Sequence, residues 1–322
     1  MCGEGSNITS EPTFFIFAFS TSENQRLIIL TVFLVIYLII LSGNLLIIAL
    51  ICLEPRLHTP MYFFLCNLST LDIMYVSTVL PKLIYVCHTG DHVMSYTSCM
   101  VQLYFSCASG SIESYLMTSM AIDRYVAVCF PLRYSLIMSK KVCVLLAFPA
   151  WFISLVNASI LPCFVHNLTY FGLVLLKSFY CELKTLMNAS VSDISSLKTI
   201  IIISIIYIGF IPSCLILASY IRIINTILKI KSSAGRWKTF SSCSSHLSIV
   251  ILCYGSAITF YLSQTHEQEI VLSFMFVTLV PMLNPLVFSL RNRDITQAIR
   301  RRIDNGVTLF GCPSSSTKER KR

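Results

Sequence analysis

Charged residues are scarce in this sequence. Asp, Glu, Lys and Arg make up 12% of the chain, whereas 55% of its residues are hydrophobic. Soluble globular proteins carry roughly 25% charged residues, so this scarcity excludes an ordinary soluble domain. A chain of 322 residues has room for about seven membrane spans of roughly 20 residues each.

Signatures of catalysis and of nucleic-acid binding are missing as well. The sequence has no nucleophile motif, metal-ligand cluster or phosphate-binding loop, so we expect no enzyme. The net charge of +9 comes from basic residues beside apolar runs, which is typical of cytoplasmic loops and not of a nucleic-acid surface. The first 26 residues lack the basic start and apolar core of a cleavable signal peptide. We therefore expect the first span to act as its own insertion signal.

The apolar runs predict an all-α membrane protein, a bundle of seven transmembrane helices. Residues 1–26 precede the bundle, residues 27–290 form it, and residues 291–322 are the tail. Each run is long enough to cross the hydrocarbon core as a helix. The predicted spans cover about 27–52, 60–83, 95–129, 142–161, 197–227, 240–262 and 270–290.

The distribution of basic residues predicts the orientation. Lys and Arg cluster between spans three and four, between spans five and six, and after span seven, whereas the link between six and seven has Glu267 and Glu269 instead. The positive-inside rule then places the amino terminus outside and the carboxy terminus in the cytoplasm. Residues 291–303 include Arg300, Arg301 and Arg302 and predict a short amphipathic helix on the anionic inner leaflet.

The outer side carries a glycan acceptor and candidate disulfide partners. Asn7 begins an Asn-Ile-Thr sequon in the outer amino-terminal segment. Cys99, at the outer end of span three, and Cys181, in the long outer loop, form the leading disulfide pair. Cys87 and Cys163 also lie near the outer face and remain alternative partners, because pairing does not follow from sequence alone.

Titratable side chains occur at two depths of the predicted bundle. Asp123 and Arg124 end the third span, where the pair lies either at the water edge or among partners inside the bundle. Glu113 lies eleven residues earlier, about 16 Å along a helix, and Asp72 lies at a similar depth in span two.

Cys243 and His246, three residues apart, could share a metal ion. No further Cys/His pair is placed to complete the four ligands that zinc needs. We interpret both side chains as packing and hydrogen-bonding groups.

Six stretches in a fixed order together resemble the olfactory receptors, which are rhodopsin-like G-protein-coupled receptors. They are GN (43–44), LHTPMYFFL (57–65), LSTLD (68–72), DRY (123–125), KTFSSCSSHL (238–247) and PMLNPLVFSLRN (281–292). The resemblance covers all but the two ends and much of the outer loop. It implies a multi-pass plasma-membrane receptor of olfactory cilia that binds an odorant and activates a stimulatory heterotrimeric G protein, raising cAMP.

The resemblance also implies roles for the polar residues. Asp123 would hold Arg124 at rest, and Arg124, with Tyr125, would be released to contact the G protein. It implies a sodium site with Asp72 as a usual ligand, so our hypothesis is that Asp72 and Glu113 share sodium or a proton. The alternative is that each acid hydrogen-bonds to neighbouring Ser or Asn side chains. No other cofactor is implied.

This sequence departs from the family pattern at three places. Ile122 stands where the family usually has Tyr before Asp-Arg-Tyr, and Phe288 replaces another usual Tyr. The outer loop lacks two further cysteines of the family, around Phe171 and around 190–192. We therefore do not carry a second loop disulfide over to this chain.

A ligand pocket is expected in the outer half of the bundle. Its candidate residues face one another from spans three, five and six, and each could instead be a core packing residue. They are Tyr104, Ser106, Cys107, Gly110, Ser111, Ser204, Ile208, Tyr254, Ala257, Ile258 and Tyr261. The set has no acid, Lys or Arg, which favours a small, mostly apolar volatile ligand with one polar group.

A small-solute transporter is the alternative function. Asp72 and Glu113 would then be ligands for a coupling ion. Transporters usually contain an internal repeat of spans, and none is visible between the two halves of this sequence. A channel is not favoured either, because no segment marks a selectivity filter.

Overall fold

The computed structural model describes residues 12–17, 23–170, 173–263, 265–290 and 295–302, without the side chains at 242, 261, 266 and 288–290. Seven long helices account for most of these residues. They are α1 (Glu23–Leu53), α2 (Pro60–Thr89), α3 (Tyr96–Cys129), α4 (Lys140–His166), α5 (Ser195–Leu228), α6 (Ser233–Leu262) and α7 (266–290). The structure thus confirms the predicted helical bundle.

Local signals in the sequence set the helix ends. The Ser95 hydroxyl accepts a hydrogen bond from the Ser98 amide at the start of α3, and the Ser139 hydroxyl accepts one from Val142 at the start of α4. Pro60 begins α2, where its missing amide proton is not needed. Gly90 ends α2 in the left-handed conformation, with φ of 75°, which glycine adopts without strain.

Helix α3 is the central element of the bundle. It packs against α2, α4, α5 and α6, and about half of its 34 residues are buried. The other six helices each contain a stretch that is long and apolar enough to cross a membrane, whereas the described part of α3 is more polar. A helix that other helices surround can carry polar residues because it contacts protein rather than lipid.

Several helices are longer than the predicted spans. Helix α2 continues to Thr89, six residues beyond the predicted end, and α6 begins at Ser233, seven residues before the predicted start. The extra turns of α6 are mostly polar, so hydropathy alone does not reveal them, whereas those of α2 are largely apolar and were placed in the loop. A helix of 30 residues is about 45 Å long, and its end turns extend beyond a hydrocarbon core of about 30 Å.

Helices α5 and α7 each contain a π-helical segment. These segments are Ile205–Phe210 in α5 and Met275–Leu279 in α7. A π segment shifts the hydrogen-bond pattern and frees backbone carbonyls within a helix. In α5 these carbonyls face α3, as the hydrogen bonds described below show.

A small sheet, which the sequence did not predict, covers one end of the bundle. Its strands are β1 (Phe14–Ile16), β2 (Val93–Met94) and β3 (Val174–Leu176), with β1 in the middle. Strand β1 pairs antiparallel with β2 and parallel with β3. The expectation of helices alone was therefore incomplete. Strands of two or three residues show no hydrophobic alternation that could be recognised.

The chain returns to the other end of the bundle after α7. Residues 295–302 are helical, with Ile295 and Ala298 buried and residues 300–302 exposed. The Arg302 guanidinium donates a hydrogen bond of 2.6 Å to the Leu53 carbonyl at the end of α1. This segment is the predicted short amphipathic helix, and it contacts the same bundle end as the links after α1, α3 and α5.

Candidate functional site

A buried ion pair lies near the end of α3. Arg124 donates from Nε and Nη2 to Asp123 Oδ2, at 3.0 and 2.5 Å. The other carboxylate oxygen of Asp123 accepts a hydrogen bond of 2.7 Å from the Tyr134 hydroxyl, in the link between α3 and α4. Burial and the Asp123 charge raise the pKa of Tyr134, so the hydroxyl keeps the proton that it donates. Asp123 therefore joins Arg124 to that link.

Three residues singled out in the sequence lie near this pair or on α7: Tyr125, Ile122 and Phe288. The ring of Tyr125 packs edge-on against Phe130, with centroids 5.7 Å apart. Ile122, the departure from the family pattern, packs against the main hydrophobic core. The side chain of Phe288, the second departure, lies outside the described residues.

Three helices meet at His246. Its Nδ1 lies 2.8 Å from the Tyr220 hydroxyl on α5, and its Nε2 lies 3.1 Å from the Met117 carbonyl on α3. The Met117 carbonyl can only accept, so His246 Nε2 donates to it and Nδ1 is left as an acceptor. Nδ1 accepts from the Tyr220 hydroxyl, which also donates to the Cys243 carbonyl at 3.1 Å. No group of three metal-ligating side chains occurs within the described residues. His246 is thus a hydrogen-bonding group, as the sequence suggested.

Two carboxylates lie in the middle of the bundle. Asp72 and Glu113 are 3% and 7% exposed and are close enough to repel each other. Asp72 accepts a hydrogen bond of 2.9 Å from Asn284 on α7, and Glu113 is hydrogen-bonded to the Cys253 thiol on α6. Among the described residues, Glu113 Oε1 and Asn284 Oδ1 have no hydrogen-bond partner. This cluster therefore has oxygen atoms that a cation or a proton could satisfy.

One of the predicted pocket residues on α3, Gly110, adjoins open space. A Cβ atom added at Gly110 would meet nothing within 4 Å, so space is available there. Tyr104 and Cys107 are half-buried against the core, and the Ser111 hydroxyl donates to the Cys107 carbonyl at 2.9 Å. The Ser106 hydroxyl is buried and has no partner among the described residues.

A hydroxyl pair joins α3, α5 and α6 below this space. The Ser114 hydroxyl donates to the Ile208 carbonyl at 2.5 Å and lies 2.8 Å from the Tyr254 hydroxyl. Because Ser114 has only one hydroxyl proton, Tyr254 donates to Ser114. The Tyr115 hydroxyl donates to the Tyr207 carbonyl at 3.2 Å. Both acceptors lie in the π segment of α5.

Sequence reasoning named Tyr254 and Ile208 but missed Ser114. Residues 104, 107, 111 and 114 follow one helical face, so the spacing that selected the first three also selects Ser114. Ser114 was left out because the predicted pocket was limited in depth and ended at residue 111.

The predicted pocket residues on α5 and α6 differ in exposure. Ile258 is 58% exposed and shares the outward face of α6 with Ile251, so its prediction as a pocket residue is wrong. The rotation of α6 about its axis determines which side Ile258 faces, and the depth of a residue along the helix does not reveal that rotation. The side chain of Tyr261 lies outside the described residues. Ser204 and Ala257 are half-buried.

A groove of about 360 Å³ lies elsewhere, between α3 and α4. Tyr104 is the one predicted pocket residue that borders it. The other bordering residues are Tyr96, Thr97, Met100, Val101, Phe105, Ser159 and Pro162. The groove is open on the flank of the bundle and does not correspond to the predicted interior pocket.

A disulfide fastens the long loop between α4 and α5 to the bundle. Cys99 and Cys181 are bonded, with Cα atoms 5.3 Å apart, and Cys87 and Cys163 are not disulfide-bonded. Gln102, one turn further along α3, accepts from the Cys181 amide at 2.7 Å and donates to the Thr78 carbonyl at 3.0 Å. The disulfide and the buried side-chain amide of Gln102 therefore both hold the loop against α3.

The same loop reaches α6 and α7. Glu182 accepts hydrogen bonds from Thr185 at 2.9 Å and from Ser273 on α7 at 3.2 Å. Burial raises the pKa of Glu182, and the hydrogen bonds from Thr185 and Ser273 oppose that effect in part. Lys184 forms an ion pair of 2.6 Å with Glu269 and lies 5.2 Å from the centre of the Phe260 ring. These contacts close the loop over the ends of α6 and α7.

Comparison with known proteins identifies the family. A family model for olfactory receptors matches residues 33–305. Human olfactory receptor 1E1 is 39% identical over 310 residues, which are 95% of this chain and 99% of that protein. Human olfactory receptor 2F1 is 41% identical over 297 residues, or 91% of this chain and 93% of that protein. The chain belongs to the olfactory receptor family.

Solved structures agree on the fold of this olfactory receptor. Squid rhodopsin superposes with a TM-score of 0.71 over 93% of this chain and 86% of the rhodopsin chain, at 18% identity. The receptor therefore has the seven-helix fold of rhodopsin. Its family membership and its six apolar spans show that it is a multi-pass protein of the plasma membrane. Its relatives are receptors and not enzymes, which confirms the expectation from the sequence and favours a receptor over a transporter.

Proposed function

We propose that this olfactory receptor binds a small, mostly apolar volatile molecule inside the bundle and activates a stimulatory heterotrimeric G protein, which raises cAMP. Family membership supports the receptor role. The observation that carries the proposal is the Ser114–Tyr254 hydroxyl pair, 2.8 Å apart beside the space at Gly110. The pair joins three helices, so a ligand that competes for these hydroxyls changes the contact between α3, α5 and α6.

The chemistry of the pocket favours an uncharged ligand. The described candidates, Tyr104, Cys107, Gly110 and Ala257, offer apolar surface and a few weakly polar atoms, and the Ser114–Tyr254 pair offers one hydrogen-bonding position. A site built in this way binds a small apolar body that carries one polar group. Alcohols, aldehydes and ketones of low mass are the ligand classes that fit.

The coupling surface is proposed at the Asp123–Arg124 end of the bundle. Release of Arg124 from Asp123 would free a guanidinium that stays charged and offers several donors. Leu132 and Leu136, in the same link as Tyr134, are 97% and 79% exposed. Exposed leucines beside a basic inner surface suit docking of the G protein. Tyr125 belongs to this surface by resemblance.

The orientation on which this depends is also a proposal. The amino terminus, with Asn7 outside the described residues, would be extracellular and glycosylated. Endoglycosidase treatment is expected to increase the gel mobility of the wild-type chain. The Asn7→Gln chain should lack the part of this shift that comes from the glycan on Asn7. If Asn7 carries no glycan while an epitope at the amino terminus is accessible only after permeabilisation, the orientation is the reverse.

We further propose that Asp72 and Glu113 share a sodium ion or a proton. Two carboxylates close together in a low-dielectric interior repel unless a cation or a proton separates them. Glu113 Oε1, Asn284 Oδ1 and Ser69 Oγ are buried oxygens with no partner in the described part of the chain, and oxygen is the donor that hard cations prefer. When bound, sodium would neutralise the acids, and Asn284 would hold Asp72 in place.

Screening odorants by cAMP response tests the proposed function. Cells that express the receptor, with surface amount measured by antibody, are exposed to a panel of alcohols, aldehydes, ketones and hydrocarbons. At least one polar volatile is expected to raise cAMP, and Arg124→Ala is expected to abolish the rise at equal surface amount. No response to any member of the panel, at surface expression equal to that of an active relative, would contradict the proposed ligand class.

A further inference from the structure

Exposed aromatic side chains mark the first turns of α6. Trp237 is 71% exposed and Phe240 is 44% exposed, and their ring centroids lie 6.2 Å apart. The apolar stretch of α6 that can cross a membrane begins later, at Cys243. Large aromatic side chains left in water are unfavourable unless a membrane or a partner covers them.

The helical phase shows which way these rings face. Further along α6, Ile251, Ile258 and Leu262 are 63%, 58% and 72% exposed and form the outward face of the helix. With 3.6 residues per turn, Phe240 lies within about 20° of Ile251 around the axis, and Trp237 within about 40°. Both rings therefore continue the face that α6 turns towards lipid.

The face of α6 that is turned into the bundle lies elsewhere. His246 and Ile249 are each 1% exposed. They lie about 140° and 160° from Ile251 around the helix axis. Trp237 and Phe240 are therefore not positioned to pack against α3 or α5.

Cations surround the two rings. Lys229 and Lys231, in the connection from α5, and Arg236 and Lys238, in the first turns of α6, are all exposed. No Asp or Glu occurs between Asp193 and Glu267 in the sequence. None of these four cations forms an ion pair with an acidic side chain that the structure describes. The surface is therefore complementary to an anionic one.

We propose that residues 229–240 form a binding site for anionic phospholipid at the inner membrane surface. Trp237 and Phe240 lie at the boundary between headgroups and acyl chains, where aromatic side chains are favoured. Arg236 and Lys231 contact the lipid phosphate, and each cation near an anionic leaflet adds to the attraction. The cytoplasmic placement of this connection rests on the proposed function; the aromatic contact with lipid does not require a ligand or a G protein.

Length supports this placement. Helix α6 has 30 residues and is about 45 Å long, which exceeds a hydrocarbon core of about 30 Å. Its first turns therefore reach the headgroup region when the stretch from Cys243 to Phe260 crosses the core. The G protein is the competing occupant, but the lipid-facing phase of Trp237 favours the membrane.

Tryptophan fluorescence of the full-length receptor in lipid nanodiscs tests the contact. The chain has two tryptophans, Trp151 and Trp237, so the difference between wild type and Trp237→Phe reports on Trp237 alone. We expect phospholipids brominated near the headgroup end of the acyl chain to quench this difference signal strongly, and acrylamide to quench it weakly. Strong acrylamide quenching without bromine quenching would overturn the proposal. Protection from acrylamide only after the heterotrimeric G protein is added would assign the surface to that protein instead.

A second measurement tests the preference for anionic lipid. Energy transfer from Trp237 to dansyl-labelled phosphatidylserine is compared with transfer to dansyl-labelled phosphatidylcholine, both as minor components of the nanodisc. We expect enrichment of the serine lipid, and Arg236→Gln is expected to reduce it roughly fivefold. Lys238→Gln, about 140° from the lipid-facing line through Ile251, is the matched control and should reduce it less. Equal transfer to both lipids in the wild type would overturn the anionic site. The quenching by brominated lipid and the energy transfer are both measured without odorant and without G protein, so they can be interpreted even if the proposed signalling fails.

Discussion

The Tyr134 hydroxyl donates to Asp123 Oδ1 at 2.7 Å, on the carboxylate whose other oxygen holds Arg124. This contact connects the ion pair of α3 to a link that also carries the exposed Leu132 and Leu136. A protein that docks on the link can therefore act on the ion pair through one hydrogen bond. The relationship suggests how docking and release of Arg124 are coupled.

Loss of that hydrogen bond is expected to raise basal signalling. Tyr134→Phe removes the hydrogen bond to the Asp123 carboxylate, and a hydrogen bond to a charged group contributes about 1.5–3 kcal/mol. The Asp123 side chain is then less fixed, so it restrains Arg124 less. We expect ligand-free cAMP per surface receptor to rise several-fold, up to roughly tenfold. Tyr85→Phe, which removes an exposed hydroxyl from α2, is the matched control. Basal cAMP equal to wild type in Tyr134→Phe would show that the contact does not restrain the switch.

The contacts of His246 predict a graded loss of stability. Tyr220→Phe removes the hydroxyl that is shared between His246 and the Cys243 carbonyl, and it should lower the free energy of unfolding by about 1–2 kcal/mol. His246→Ala leaves Tyr220 and the Met117 carbonyl without their partner and opens a cavity, so it should cost about 2–4 kcal/mol. Melting of the purified receptor in detergent measures the order. Ser248→Ala, on the exposed side of α6, should melt like wild type, and equal melting of His246→Ala and wild type would disprove the bridging role.

Ser114 should distinguish polar ligands from apolar ones. Ser114→Ala removes the acceptor of Tyr254 and is expected to raise the half-maximal concentration of an alcohol or ketone agonist roughly tenfold. A hydrocarbon analogue of the same shape should be affected less. Ile258→Val, on the outward face of α6, is the control and should leave both responses unchanged. A larger effect of Ile258→Val than of Ser114→Ala would place the ligand outside the bundle.

The outer loop should dock more tightly in acid. Burial raises the pKa of Glu182, so the docked loop binds a proton more tightly than the undocked loop. The resulting stabilisation is complete below the ordinary carboxyl pKa of about 4.3 and is lost as pH rises through the raised value. The melting temperature of wild type relative to Glu182→Gln should therefore increase as pH falls from neutral.

Asp193 provides a control of opposite sign. Hydrogen bonds from Ser195 lower the pKa of this exposed loop carboxylate, so any stabilisation from it is lost as pH falls. Asp193→Asn should not reproduce the effect of Glu182→Gln. Parallel melting profiles for wild type and Glu182→Gln across this pH range would show that Glu182 does not contribute to docking.

Hydropathy identified the helices that face lipid because it reports burial in lipid directly, and the more polar α3 gives a weaker signal. Hydropathy was weaker at the ends of helices. The polar turns of α6 from Ser233 to Thr239 carry no apolar signal, although they are helical. The strand Phe14–Ile16 depends on pairing with residues far along the chain, which no local pattern encodes.

For the site, the sequence predicted the depth of residues along a helix better than the direction in which they face. Depth along α3 located Glu113 and the ion pair, since helical rise converts residue number into distance. Rotation about each axis was harder, and the error at Ile258 arose because residues 257 and 258 differ by 100° in direction but hardly in depth. The Tyr134 contact with Asp123 depends on the fold of a short link, and no spacing rule indicates it.

Ligand-stimulated nucleotide exchange measures receptor function in a purified system. Purified receptor in nanodiscs is mixed with a stimulatory heterotrimeric G protein, and uptake of a non-hydrolysable GTP analogue is followed with and without an odorant that raises cAMP in cells. We predict that the odorant accelerates uptake in the wild type and not in Arg124→Ala. An odorant that leaves uptake unchanged in the wild type and instead drives solute flux across the membrane without any G protein would contradict the receptor function.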